Sequence, residues 1–212
     1  MRLLFCCSLL LSVTLLILCS RTRGVAQDAA SPQVQKNADQ TAAQKYFTDT
    51  VLTNQNGEKM RFYSDLIKGK VIVINTFFAN CTSSCPVMTA NLVKVQNALG
   101  DRFGKEIFFI SITVDPVMDT PASLKAYARK YNAKAGWNFM TGDEKDVNLV
   151  LKKIGQYVEQ KNDHLNIFVI GNERTGLWKK SFGLASAEEQ LKVVESVLND
   201  KVETKVPARR GN

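Results

Sequence analysis

The sequence predicts an α/β domain built on one mixed central sheet, flanked by helices and extended at its N-terminal edge by a β-hairpin. Three observations predict it. The runs at residues 71–78 and 106–114 are apolar on both faces and rich in β-branched residues, as central parallel strands are. Each is followed by a stretch whose apolar residues recur at helical spacing. Two further strand-like segments, residues 165–170 and 177–182, flank Gly171-Asn172-Glu173-Arg174-Thr175-Gly176, a composition that turns the chain back antiparallel.

Taken in order, residues 47–52 and 59–63 flank Asn54-Gln55-Asn56-Gly57, a hairpin signal. Gly69 and Lys70 lead into the first buried strand. Met88, Leu92, Val95 and Leu99 then share one helical face. Pro86 falls in the first turn, where an N–H is not needed, and Gly100 just past the end. The second buried strand closes at Asp115-Pro116. Asp119-Thr120-Pro121 starts another helix, with Leu124, Tyr127, Ala128 and Tyr131 on its apolar face. Residues 137–140 form a short strand, and Val147, Val150, Leu151 and Ile154 mark a third helix. After the closing hairpin, Ser186 and Glu189 make a capping box for a last helix carrying Leu191, Val194 and Leu198. Parallel crossovers in front and an antiparallel hairpin behind require one mixed sheet, in one domain over residues 46–200.

The ends are different material. Arg2 precedes an apolar stretch over residues 3–19, then Ser20-Arg21-Thr22-Arg23 and the small residues Gly24-Val25-Ala26. That pattern makes residues 1–26 a signal peptide or an N-terminal membrane anchor. Lipid attachment at Cys19 is disfavoured by the bulky Leu18 before it. Every one of these readings exports the domain, to the periplasmic or another extracytoplasmic face of a membrane. Residues 27–45, rich in Ala, Gln, Asp and Asn, read as a flexible linker, and residues 201–212 as a basic tail. The formal charge of +8 is spread along the chain without a basic stripe interleaved with aromatics, which argues against nucleic acid as a partner. It suits a soluble surface, or one that meets acidic partners or an anionic membrane.

Cys6, Cys7 and Cys19 lie in the leader, so the domain keeps only Cys81 and Cys85. Two cysteines four positions apart are not a disulfide scaffold; they are a functional pair, or a local disulfide pinning a strand end. They occupy Cys81-Thr82-Ser83-Ser84-Cys85-Pro86, where the first buried strand passes into a helix. Cys85 at a helix N-terminus is expected to favour the thiolate. With His164, the only histidine in the chain, two soft thiolates and an imidazole suit copper; without metal the thiols are a redox pair. Zinc fits less well, because structural zinc takes four protein ligands.

Cys81-x3-Cys85-Pro86 after the first buried strand, Val114-Asp115-Pro116 after the second, and Asp163-His164 before a later strand, in that order, resemble the Sco/SenC family of cytochrome c oxidase assembly proteins. The likeness runs from about Phe47 to Asn199. It implies a thioredoxin-like fold and one copper ion, as Cu(I) or Cu(II), held by Cys81, Cys85 and His164. It further implies a metallochaperone that delivers copper to the copper subunit of a respiratory oxidase, or to another copper or thiol client. Asp115 would orient the cysteine loop or meet a partner, or serve only as a turn aspartate. Thr82-Ser83-Ser84 lacks the Pro-Asp often seen between the family's cysteines, a departure that bears on the choice of partner.

The alternative is a thiol–disulfide oxidoreductase, with Cys81 and Cys85 as the catalytic pair reducing an exported or membrane-bound client. Reductants of that superfamily use Cys-x2-Cys facing a proline, and no proline stands between Pro121 and Pro207. A thiol peroxidase would need a Thr three residues before its reactive Cys, where Phe78 stands. A copper-responsive or redox-responsive sensor would use the same residues.

Overall fold

The computed structural model describes residues 42–201. The leader, most of the linker and nearly all of the basic tail lie outside the described residues. A seven-stranded sheet runs in the order β2-β1-β5-β4-β3-β6-β7. Its strands are β1 (Val51–Asn54), β2 (Lys59–Arg61), β3 (Val71–Phe77), β4 (Ile107–Thr113), β5 (Trp137–Thr141), β6 (Ile167–Asn172) and β7 (Leu177–Phe182). β3, β4 and β5 are parallel, β6 returns antiparallel beside β3, and β7 pairs antiparallel with β6 at the edge. The β1–β2 hairpin joins the far edge antiparallel to β5. The predicted mixed sheet with an N-terminal hairpin is therefore the observed one.

Strand β3 is central and buried along its whole length, which explains why residues on both of its faces are apolar. Val71, Val73 and Phe77 face one core with helices α2 (Cys85–Leu99), α3 (Pro121–Lys130) and α5 (Ala187–Leu198). Ile72 and Ile74 face the other, under α1 (Ala42–Phe47), α4 (Glu144–Lys153) and a π-helical segment, Phe62–Ile67. A polar chain threads the first core: Trp137 Nε1 donates to Ser111 Oγ at 2.8 Å, and Ser111 Oγ donates to Asn75 Oδ1 at 2.7 Å. These bonds let buried polar groups sit in the sheet without the cost of an unmade hydrogen bond. The capping box at Ser186 and Glu189 is present at the start of α5. Among the described residues no helix is long and apolar enough to cross a membrane.

Three elements differ from the sequence expectation. Among the described residues the first element is helix α1, which starts at Ala42, within the segment read as linker. Helix α1 has no apolar period of its own and is held by tertiary contacts: Phe47 packs on Trp178 at 4.9 Å, and Gln44 Nε2 donates to Asp49. Phe47 therefore ends a helix instead of opening the first strand. The π-helical segment replaces the end of the second expected strand, closed by the Lys68 N–H donating to Tyr63 O at 2.8 Å.

The third difference concerns Gly171 and Asn172, read as turn residues but found inside β6. Gly171 lies opposite Trp178, and a Cβ there would sit 2.2 Å from the indole ring. Glycine stands in this strand because the indole lies flat across it, not because the chain turns.

Candidate metal centre

The site is assembled where the end of β3 meets the start of β6. Because β6 runs antiparallel beside β3, with Val169 opposite Ile74, the residues after Phe77 lie beside those before Ile167. The chain leaves β3 through Phe78, and the Cys81 N–H donates back to Phe78 O at 3.1 Å. Cys85 is the first residue of α2, whose N-cap residue Ser84 makes no side-chain cap bond. On the facing side a short 3-10 turn, Lys161–Asp163, delivers His164.

The structure thereby brings His164 to two cysteines, the nearer of which lies 79 positions before it in the chain. Cys85 Sγ lies 3.2 Å from His164 Nε2. The ligand atoms of Cys81, Cys85 and His164 all fall within 4.8 Å of one another, and all three residues are buried. Both cysteines are free thiols. Cys85 is the more deeply placed at 1% exposure, against 8% for Cys81 and 7% for His164. Phe78 meets the imidazole edge to face at 5.9 Å.

This donor set fits a soft monovalent metal. Two sulfurs and one ring nitrogen converge in an apolar enclosure, a combination that selects Cu(I) over hard cations. His164 Nδ1 is buried without a hydrogen-bond partner; the Leu165 main chain beside it stops short of hydrogen-bond geometry. Burial lowers the imidazole pKa, with the Leu165 main chain acting against that shift, so the ring is neutral and Nε2 can offer its lone pair.

Cys85 departs from the sequence expectation. Burial pushes its thiol up to about 12, and the adjacent Cys81 adds to the shift, while the Phe78 and Cys85 main-chain contacts only partly oppose it. Desolvation outweighs the helix N-terminus, so Cys85 keeps its proton without metal. The sign of the linkage follows. The unfolded thiol ionises near 9 while the folded one keeps its proton, so the unfolded state binds fewer protons above that pH. Stability carried by this thiol is full below about pH 9 and is lost between about pH 9 and 12. Urea midpoints of the reduced protein should fall over that range and fall less in Cys85→Ala; parallel midpoint curves would show that the thiol is not so shifted.

Of the two aspartates near the site, Asp119 bonds the cysteine loop, and Asp115 holds a turn, one of the parts expected of it. Asp115 does not contact the cysteine loop: its carboxylate pairs with Lys161 Nζ at 2.6 Å, and its main-chain oxygen accepts the N–H groups of Met118 and Asp119. Asp115 thus ties the β4 exit to the turn that delivers His164, and Lys161 also lies 5.3 Å above the Phe78 ring. Asp119, read from sequence as part of a helix start, is 2% exposed and accepts the Ala79 N–H at 3.1 and 3.3 Å. It also accepts from Thr113 Oγ1 at 2.5 Å. The helix is capped instead by Thr120, whose side chain accepts from the Ser123 N–H. Asp-Thr-Pro offered two capping residues for one helix, the one sign that Asp119 had another task.

A model of the SCO1/SenC family matches residues 38–198. The chain belongs to this family. Its mixed sheet with flanking helices is the thioredoxin-like fold of its structural neighbours. Among curated SCO1/SenC relatives it is 36% identical over 90 residues to the SCO1 protein homolog of Bacillus subtilis, covering 42% of this chain and 45% of that one. The chain spans about half the length of the first curated relatives it matches. Among solved structures, a SCO1/SenC family lipoprotein from Bacillus anthracis shares 29% identity at a TM-score of 0.59, covering 69% of this chain and 91% of that one. Bradyrhizobium japonicum ScoI with copper bound shares 25% identity at a TM-score of 0.59, over 70% of this chain and 96% of the other.

Proposed function

We propose that the protein binds one copper ion through Cys81 Sγ, Cys85 Sγ and His164 Nε2 and passes it to the copper centre of a respiratory cytochrome oxidase. The observation that carries this reading is the convergence of three soft donors within 4.8 Å in a buried pocket. Membership of the SCO1/SenC family and the copper bound by the Bradyrhizobium relative support it. The copper is cargo. It replaces thiol protons on binding, so affinity rises with pH. Cys81, less buried than Cys85, is the ligand that an incoming client thiolate reaches first. Asp115, through Lys161, steadies the turn that carries His164. The domain works outside the cytoplasm, exported or anchored by residues 1–26, in keeping with the lipoprotein relative.

The test is transfer. Chain loaded anaerobically with Cu(I) is mixed with the reduced, metal-free copper domain of an oxidase, and the copper content of each is measured after separation. Movement of copper to the oxidase domain supports delivery. Retention by the loaded chain, with copper moving only when the chain is denatured, would contradict it.

The two free thiols also support the second reading, reduction of a client disulfide at the cost of a Cys81–Cys85 disulfide. The raised Cys85 pKa weighs against it, because a protonated thiol is a poor nucleophile.

A further inference from the structure

Away from the metal centre, a groove of about 760 Å³ opens between α1, the end of α4 and β7. Its lining includes Tyr46, Phe47, Ile154, Val169 and Trp178. The groove is built rather than incidental. Gly171 leaves room for the indole of Trp178 to lie on β6, Phe47 packs on that indole at 4.9 Å, and Tyr46 meets Phe47 edge to face at 4.9 Å. Tyr46 is left 61% exposed at the rim.

Three exposed lysines, Lys152, Lys153 and Lys180, stand along the groove. Among the described residues none of the three is in an ion pair. Lys152 lies 4.5 Å above the ring of Tyr157. A fourth lining lysine, Lys179, donates its ammonium to Ser196 Oγ at 2.8 Å. An exposed phenol, a half-buried indole and lysines outside any ion pair match the depth profile of a lipid headgroup region, where indole and phenol rings settle among headgroups and ammonium groups reach phosphates.

We propose that this face seats the domain against an anionic phospholipid surface. The position of the groove in the chain points to that occupant. One of its walls is α1, the first described element, and residues 20–41 join α1 to the apolar stretch at residues 3–19. Taken as a coil, such a connection spans about 26 Å. An apolar leader held in a bilayer would keep the groove within reach of the headgroups, and a short tether turns a weak contact into a local one. Each lysine near an anionic leaflet is worth roughly fivefold in partitioning, screened by salt. The contact would orient the domain on the membrane that carries its client; it does not depend on copper binding and stands or falls separately from it.

The test uses the full chain reconstituted in vesicles of phosphatidylglycerol mixed with phosphatidylcholine, and in phosphatidylcholine alone. Lysines are acetylated briefly and each site is read by peptide mass spectrometry, with Lys94 on α2 and Lys192 on α5, across the sheet, as internal references. Lys152, Lys153 and Lys180 should be labelled severalfold more slowly in the anionic vesicles, and the protection should vanish at high salt. It should also vanish from Lys152 in a Lys153→Glu, Lys180→Glu double variant that keeps its copper stoichiometry and melting temperature. Equal labelling of all five lysines in both vesicle types would overturn the proposal. So would equal protection by a short-chain phosphatidylglycerol below its micellar concentration, which would make the groove a pocket for single molecules. Protection that grows with protein concentration in neutral vesicles would give the face to a second copy and overturn it as well.

Discussion

Replacing Cys85 with alanine is expected to weaken Cu(I) binding by about a hundredfold or more, measured anaerobically against a competing chelator. Structural zinc sites of four ligands are worth about 10–16 kcal/mol, so one ligand contributes roughly 2.5–4 kcal/mol, and 1.4 kcal/mol is a factor of ten. Cys81→Ala and His164→Ala should each lose a similar amount, because in a three-donor site no ligand is spare. Thermodynamic coupling distinguishes a shared site from independent ones. The double variant Cys81→Ala, Cys85→Ala should lose less than the sum of the singles if either single variant already abandons the site. The apo-protein should suffer less from the Cys85 change than from the loss of a large core residue, since the buried thiol at the start of α2 is a small hydrophobe. Undiminished one-to-one binding in any single variant would remove that residue from the ligand set.

The second large effect belongs to Asp119→Ala. That carboxylate accepts from the Ala79 N–H, two residues before Cys81, and from the Thr113 hydroxyl at the end of β4. Deleting it strands the buried Thr113 hydroxyl and the half-buried Ala79 N–H, at about 1–3 kcal/mol for each such donor, and relieves part of the cost of burying the charge. The Asp119 carboxyl is held above its usual range chiefly by burial, so the stability linked to its proton is present below pH 4 and is lost as pH rises through the folded pKa. At neutral pH a net loss of about 2–3 kcal/mol follows, a fall in melting temperature of roughly 4–12 °C for a domain of this size. The cysteine loop should loosen as well, so that Cys81 and Cys85 react faster with a disulfide reagent. Asp119→Asn keeps an acceptor for Ala79 and should be milder on both measures. An alanine variant as stable as the parent, with thiols no more reactive, would show that the aspartate does not brace the loop.

How much of this was legible in the sequence depends on what formed each element. β3 and β4 could be read directly, because strands covered on both faces must be apolar on both faces. Helix α5 could be read from its capping box, a local contact written in neighbouring residues. Helix α1 could not, since Phe47 is helical by virtue of Trp178, more than a hundred positions away. Gly171 was misread for the same reason: the sequence displays a glycine, and only the sheet register displays the indole across from it.

At the site, the residue types were legible and their surroundings were not. Cys81, Cys85 and His164 stood out by kind and spacing, and antiparallel pairing of β6 with β3 gathers them. Proximity to a helix N-terminus suggested a thiolate at Cys85. Burial in the folded chain, with Cys81 beside it, reverses this. Asp115 drew notice through its place in a motif, whereas Asp119, hidden as a capping residue, is the one that touches the loop.

The most direct test of the metal centre is X-ray absorption at the copper edge on the full chain loaded with one equivalent of Cu(I), beside His164→Ala. Two sulfur neighbours and one nitrogen neighbour per copper are predicted, with the nitrogen lost in the variant. A sulfur-only shell in the parent chain, or a nitrogen neighbour that survives the loss of His164, would contradict the proposed site.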